Sequence, residues 1–201
     1  MRAWWTSLVL VVACGGRTHA PDCPSVAELT APEPRAQTEG ELEADVAGPV
    51  EPAVILLVRH AEKAADGTPD PPLTARGVER AECLAQRLSA FGPTHLLATQ
   101  YQRTAATLQP LARATGLEIV VIEAQDHAGW ARALAELPPG ARAVVAGHSN
   151  TLPGLVAALG GRLEGLDAKG NIPDDDYDRL VHMVRHEPGR ATSYTTAYCA
   201  Q

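Results

Sequence analysis

The sequence predicts an α/β fold from residue 53 onward, three layers deep, with a mainly parallel central sheet and helices on both of its faces. Three observations predict it. Continuous apolar runs of strand length, such as Ala53-Val54-Ile55-Leu56-Leu57-Val58, suit strands buried on both faces better than the alternating pattern of a half-exposed sheet. These runs alternate with stretches of helical periodicity, as parallel pairing with right-handed crossovers requires. Aromatic residues make up only 4% of the chain, so the core is left to Ala, Val, Leu and Ile.

Each element follows from its own stretch of sequence. Ala53 to Val58 is the first central strand, and Thr74 to Phe91 a helix with Val78, Ala81, Leu84, Ala85 and Leu88 on one face, Thr74 as N-cap and Gly92-Pro93 as stop. A short strand over Thr94 to Ala98 leads to a helix over Tyr101 to Thr115 closed by Gly116, in which Pro110 predicts a kink or a break. A strand at Glu118 to Ile122 precedes a helix over Ala128 to Leu137, stopped by Pro138-Pro139-Gly140. Arg142 to Ala146 reads as a fourth buried strand and Thr151 to Leu159 as a helix ended by Gly160-Gly161. Asp178 to Val184 and Ala191 to Tyr198 read as two late strands.

In such sheets the ligand crevice lies beyond the carboxyl ends of the strands, so the residues just after each strand carry the chemistry. After the first strand stand Arg59, His60, Ala61, Glu62 and Lys63; after the second, Thr99 to Thr104 with Arg103; after the fourth, Gly147, His148, Ser149, Asn150 and Thr151. Two arginines and two histidines thus converge on one edge. A guanidinium fork matches phosphate oxygens, so Arg59 and Arg103 can clamp a phosphoryl group and neutralise its equatorial charge. His60 suits the nucleophile if its neutral ring has one nitrogen held by a backbone carbonyl, and His148 completes the cationic cradle.

Arg59-His60-Ala61-Glu62, Leu73-Thr74-Ala75-Arg76-Gly77, Arg103-Thr104-Ala105-Ala106-Thr107 and Gly147-His148-Ser149-Asn150-Thr151 together resemble the ordered motifs of the histidine phosphatase superfamily, the phosphoglycerate mutase-like fold. The resemblance runs over about residues 53 to 199. It implies a metal-free phosphohistidine intermediate on His60, with Arg59, Arg103 and His148 holding the phosphate and no cofactor. The second histidine is followed by Ser149 rather than the Asp typical of the acid phosphatase and phytase branch. Only Glu123 to Ala141 separates the third and fourth strands, which leaves little chain for a lid and makes the sequence similar to short bacterial members, the phosphohistidine phosphatases among them.

A proton donor to the leaving group must reach the scissile oxygen, and the resemblance implies the segment after the third strand. Asp126 is the expected donor, with Glu123 and His127 as rivals. Glu62 is expected to fix its neighbours and, with Lys63, to lie against the substrate. His182 and His186 read as strand-edge residues, and Asp174-Asp175-Asp176 as a solvated acidic turn lacking the spaced ligands of a calcium loop.

The function expected is hydrolysis of a small phosphomonoester. Two other readings stand beside it: a phosphate-binding or sensing module that turns over poorly, and a phosphoglycerate mutase-type phosphotransferase. A metallohydrolase built on His60, His148, His127 and Asp126 lacks His-x-x-x-His or paired-carboxylate spacing, so no metal is expected. Nucleic acid is not an expected partner either, because the net charge is −7, no basic block exists and few aromatics are present for stacking.

The first fifty residues have another character. Arg2 precedes the apolar run Leu8 to Ala13, which is too short to span a bilayer core needing about 20 residues, and the run ends Val11-Val12-Ala13-Cys14. That resembles the bacterial lipobox. Residues 1–13 are therefore expected to be a lipoprotein-type signal and Cys14 the acylated residue, anchoring the protein to an extracytoplasmic membrane face, inner or outer. Residues 14–52 carry eight acids against two arginines, together with six prolines, and read as a disordered tether to the catalytic domain at 53–201. Of the remaining cysteines, Cys83 fits a small core residue, Cys23–Cys199 is one pair that could oxidise outside the cytoplasm, and the pairing among Cys23, Cys83 and Cys199 stays open.

Overall fold

The computed structural model describes residues 51–187 and 190–199. The expected signal segment, the expected acylation site Cys14, Cys23 and nearly all of the expected tether lie outside the described residues.

Within them the predicted alternation is present. β1 spans Ala53–Arg59, α1 Ala75–Ser89, β2 His95–Ala98, α2 Gln102–Thr115 and β3 Ile119–Val121. There follow α3 at His127–Ala135, β4 at Arg142–Gly147, α4 at Leu152–Ala158, β5 at Arg179–Glu187 and β6 at Arg190–Ala197. The strands form one sheet in the order β3-β2-β4-β1-β5-β6. β3, β2, β4 and β1 pair in parallel, while β5 runs antiparallel to β1 and β6 antiparallel to β5.

The apolar runs are explained by what covers each face. Leu56, Val58, Leu96, Ala98, Val144 and Ala146 point to one side and pack with Leu84 and Leu88 of α1 and Leu108 and Leu111 of α2. The alternate residues Ile55, Leu57, Leu97, Ala143 and Val145 point to the other and pack with Trp130 and Leu134 of α3 and Leu152 and Val156 of α4. Successive side chains of a strand alternate in direction, so a strand sandwiched between helix layers must be apolar at every position.

Two local features fix the loop that follows β1. Thr74 caps α1, its hydroxyl accepting from Gly77 N–H at 3.1 Å, and its own N–H donates to Glu62 O at 2.8 Å. Gly77 packs so closely that a Cβ there would stand 2.2 Å from Glu62 O, which leaves no room for any side chain. The motif Leu73 to Gly77 is therefore a clasp on the segment bearing Glu62.

Two expectations are corrected. Pro110 neither breaks nor divides α2, which runs unbroken over Gln102–Thr115. Proline forfeits one ladder bond and crowds the preceding turn, but Pro110 is buried among Leu108, Leu111 and Ala112, whose packing holds the helix on both sides of it. Cys83 is not an unpaired core residue. It is bonded to Cys199 across a Cα separation of 6.2 Å, which also displaces the Cys23–Cys199 pairing. The two lie 116 positions apart and meet because the chain just after β6 returns to α1, a long-range contact that cysteine spacing does not disclose.

His182 sits opposite Tyr194 in the β5–β6 ladder and stacks on its ring at 4.4 Å, its Nε2 within 2.9 Å of the Thr196 hydroxyl. That is a cross-strand contact at the sheet edge.

Candidate active site

The ladder places the chemistry. β1 and β4 pair with Arg59 opposite Gly147, so His60 and His148 leave the sheet side by side, one residue beyond the last pair. His60 N–H donates to Gly147 O at 2.9 Å, and the two rings meet edge to face with centroids 5.4 Å apart. Both are buried, His60 at 4% and His148 at 7% exposure.

His60 Nδ1 lies 2.8 Å from Ala61 O. A carbonyl only accepts, so Nδ1 carries the hydrogen and Nε2 keeps its lone pair. Ala61 is held in turn, its N–H donating at 2.9 Å to Thr107 Oγ1, which donates at 2.7 Å to Arg103 O. Burial is the largest influence on the His60 ring and lowers its pKa to about 4; Arg59, Arg103 and Lys63 lower it further against the Ala61 bond, which raises it. Burial likewise brings His148 down to about 3, helped by His60, Arg103 and Arg59. Both rings are thus neutral at ordinary pH.

The two arginines are stacked and aimed. Arg59 lies over the Tyr177 ring at 4.2 Å, and its Nη1 donates to Pro173 O and Asp174 O, each at 2.9 Å. Arg103 lies over the Tyr101 ring at 4.2 Å, with Nη1 3.2 Å from Asp70 Oδ1. Among the described residues the Nε atoms of both arginines are buried and have no protein partner. These are donors that a phosphate oxygen can satisfy.

Arg59, His60, Lys63, Arg103 and His148 line one cavity of about 260 Å³, and Asp174 stands on its rim. That is room for a phosphoryl group and a small part of what bears it. A larger hollow of about 550 Å³ lies along β5 and β6, but its Arg179 is already bound by Asp176 at 2.8 Å and it contains no histidine. Among the described residues no group of three or more His, Cys, Asp or Glu side chains is placed to hold a metal ion.

The remaining sequence candidates divide. Lys63 is exposed and reaches the cavity. Glu62 does not line it; Arg80 grips both its oxygens, Nε at 3.0 and 2.9 Å and Nη2 at 2.7 Å. Burial pushes the Glu62 carboxyl up, yet the Arg80 hydrogen bonds and the charges of Arg80 and Arg76 outweigh it and hold it below the usual range. The expected proton donor is elsewhere. Asp126 is exposed and caps α3, its Oδ1 accepting from Gly129 N–H at 2.8 Å. The segment after β3 reaches the cavity through Ala124 and Gln125 instead, and neither Glu123 nor His127 lines it.

Several functional residues escaped the sequence reading. Tyr101 and Tyr177 are platforms for the arginines, and Thr99 meets His148. The acidic turn is not merely solvated, since Asp174 O binds Arg59 and the Asp176 carboxylate binds Arg179. The only available signals were the placement of Thr99 and Tyr101 after β2; the loop carrying Tyr177 has no periodicity to betray it.

A family model described as the histidine phosphatase superfamily, branch 1, matches residues 55–126. The probable phosphoglycerate mutase GpmB of Serratia proteamaculans is 39% identical over 72 residues, covering 33% of this chain and 34% of its own. The chain thus aligns with about a third of the length of the curated relatives it matches. The protein histidine phosphatase SixA complexed with tungstate superposes with a TM-score of 0.57 at 20% identity, over 72% of this chain and 96% of that one. The mycobacterial glucosyl-3-phosphoglycerate phosphatase Rv2419c superposes with a TM-score of 0.54 at 16% identity, over 75% and 100%. The matched segment 55–126 is similar to the histidine phosphatase superfamily, branch 1, and the fold of the domain is the one these phosphatase structures share.

Proposed function

We propose that the protein is an extracytoplasmic phosphatase that hydrolyses a small phosphomonoester through a phosphohistidine on His60. The observation that carries this is the fixed tautomer of His60, a buried neutral ring with Nδ1–H on Ala61 O and the Nε2 lone pair uncommitted, in a cavity also lined by Arg59 and Arg103. Arg59 and Arg103 would hold the equatorial oxygens, and their charge would offset what develops on them during transfer. The Nε2 lone pair attacks phosphorus, and water then releases phosphate from His60. The phosphatases among the structural neighbours support the reading.

Hydrolysis is favoured over mutase chemistry by the short span between β3 and β4, which holds only α3 and little chain for enclosing a second sugar-acid substrate. Export is supported by Cys83–Cys199, because disulfides persist mainly in oxidising compartments. Acylation of Cys14 would supply the anchor, and mass spectrometry of membrane-extracted protein tests it: an unmodified residue preceding Cys14 would rule it out.

Full-length protein and its His60→Ala variant, mixed with 4-nitrophenyl phosphate in chelator and quenched without acid, test the mechanism by intact mass. A transient gain of one phosphoryl group with turnover, present in the native protein and absent from the variant, is the expected result. Folded native protein showing neither would overturn the enzyme reading in favour of a phosphate-binding module.

A further inference from the structure

We propose that Asp174, at the rim of the cavity, is the catalytic acid that protonates the leaving group; this rests on the reading of His60 as nucleophile. Glu62 is fully engaged by Arg80 and Asp126 by the start of α3. Among the described residues Asp174 is the one carboxylate that lines the cavity.

Its position is built, not incidental. Pro173 O and Asp174 O both accept from Arg59 Nη1, so the guanidinium that would grip the phosphoryl group also holds the backbone bearing this carboxylate. On one side Ile172 N–H donates to Ser149 O at 3.0 Å, next to His148; on the other the Asp176 carboxylate is bound by Arg179. The segment is pinned at both ends while the Asp174 side chain is fully exposed, its Oδ1 3.6 Å from Arg59 Nη2.

Depth supplies the rest of the geometry. In-line displacement requires nucleophile and leaving oxygen on opposite sides of phosphorus. His60 is at the buried floor, and Asp174 is at the solvent mouth, where the departing group must leave. When phosphate oxygens take the Arg59 fork, the carboxyl group loses that partner and has the ester oxygen as its neighbour.

The His60 Nε2 lone pair forms the N–P bond, and the P–O ester bond breaks with its electron pair going to the leaving oxygen, which takes the proton of the Asp174 carboxylic acid. The resulting carboxylate then removes a proton from water as its oxygen bonds to phosphorus. As the N–P bond breaks its pair returns to His60, Asp174 is left as the carboxylic acid by the proton taken from that water, and inorganic phosphate is released.

The test compares full-length wild type, Asp174→Asn and Asp126→Asn on 4-nitrophenyl phosphate, whose leaving group departs without a proton, and on glycerol phosphate, whose alkoxide does not. Asn retains the capping ability of Asp at position 126. Asp174→Asn is expected to raise the aryl-to-alkyl ratio of kcat/KM by about 100-fold or more, the usual contribution of general acid catalysis. Asp126→Asn is expected to leave that ratio at the wild-type value. An equal effect of Asp174→Asn on both esters, no effect on either, or a selective loss in Asp126→Asn overturns the assignment. Wild-type turnover of the aryl ester alone also overturns it and leaves the phosphohistidine reading intact. Wild type inactive on both esters overturns that reading itself.

Discussion

The Thr99 hydroxyl and His148 Nε2 lie 2.9 Å apart, and the hydroxyl groups beyond them decide which carries the hydrogen. Thr104 Oγ1 is 2.7 Å from Tyr101 O and 2.9 Å from Thr99 Oγ1. Every contact has a hydrogen only if Thr104 donates to the carbonyl, Thr99 to Thr104, and His148 Nε2–H to Thr99. The uncommitted nitrogen of His148 is therefore Nδ1.

Replacing Thr99 by Val keeps the shape and strands that N–H in a buried site. We expect stability to fall by about 1–3 kcal/mol, the cost of an unsatisfied buried donor, and activity on 4-nitrophenyl phosphate to fall by about tenfold or more. Thr99→Ser should restore both, as read by urea unfolding and kcat/KM. An unchanged Thr99→Val variant would remove this hydroxyl from the machinery.

The histidines also set a pH dependence. In the unfolded chain both titrate near 6.5, whereas in the fold His60 is brought to about 4 and His148 to about 3. Between these limits the unfolded chain binds more protons, so stability rises with pH in this window. It should be complete above about pH 6.5 and decline as pH falls toward 4, with a shallower decline in His148→Ala. For the same reason the acid limb of kcat/KM on 4-nitrophenyl phosphate should lie well below the ordinary histidine range. A limb at 6.5 would show that His60 is not held neutral by burial.

Arg80 is buried behind the site, where it grips Glu62 and donates to Cys199 O at 3.3 Å. Arg80→Met would leave the Glu62 carboxylate without its main partner, and breaking such a pair from one side costs about 3–5 kcal/mol. The partial exposure of Glu62 puts the expectation near or below the lower end of that range. Chemical denaturation checks it, and a loss under about 0.5 kcal/mol, typical of an exposed pair, would show that the contact is peripheral.

Gly77→Ala meets backbone, not a flexible side chain, at the Glu62 carbonyl. Overpacking of this kind costs about 1–3 kcal/mol. Because Glu62 lies two residues from His60, a larger relative loss in kcat than in KM is also expected. Wild-type behaviour in both measurements would contradict the close approach.

What the sequence made legible has a physical pattern. Arg59, His60 and His148 could be placed because fully buried strands announce themselves and a parallel ladder carries their ends to one edge. Tyr177 and Asp174 could not, since they stand on an aperiodic connection fixed by long-range bonds to Arg59 and Ser149. Asp126 misled because an aspartate before a helix suits an N-cap as well as an acid. Cys83 and Cys199 stayed unpaired on paper because only the packed fold brings α1 and the end of β6 together.

That bridge also draws a boundary through the domain. It closes a covalent ring from residue 83 to residue 199 that includes β4 and β5, while β1, lying between those two strands, stays outside it. A protease nick anywhere between 84 and 198 would leave its two products joined until reductant is added. A nick in the exposed stretch around Asp66 and Gly67 would instead yield a fragment bearing Arg59 and His60 that the Cys83–Cys199 bond does not hold to the rest of the domain. Among the described strands, the one that leads into His60 is thus the only one that the bridge would not tie to the rest after such a cut.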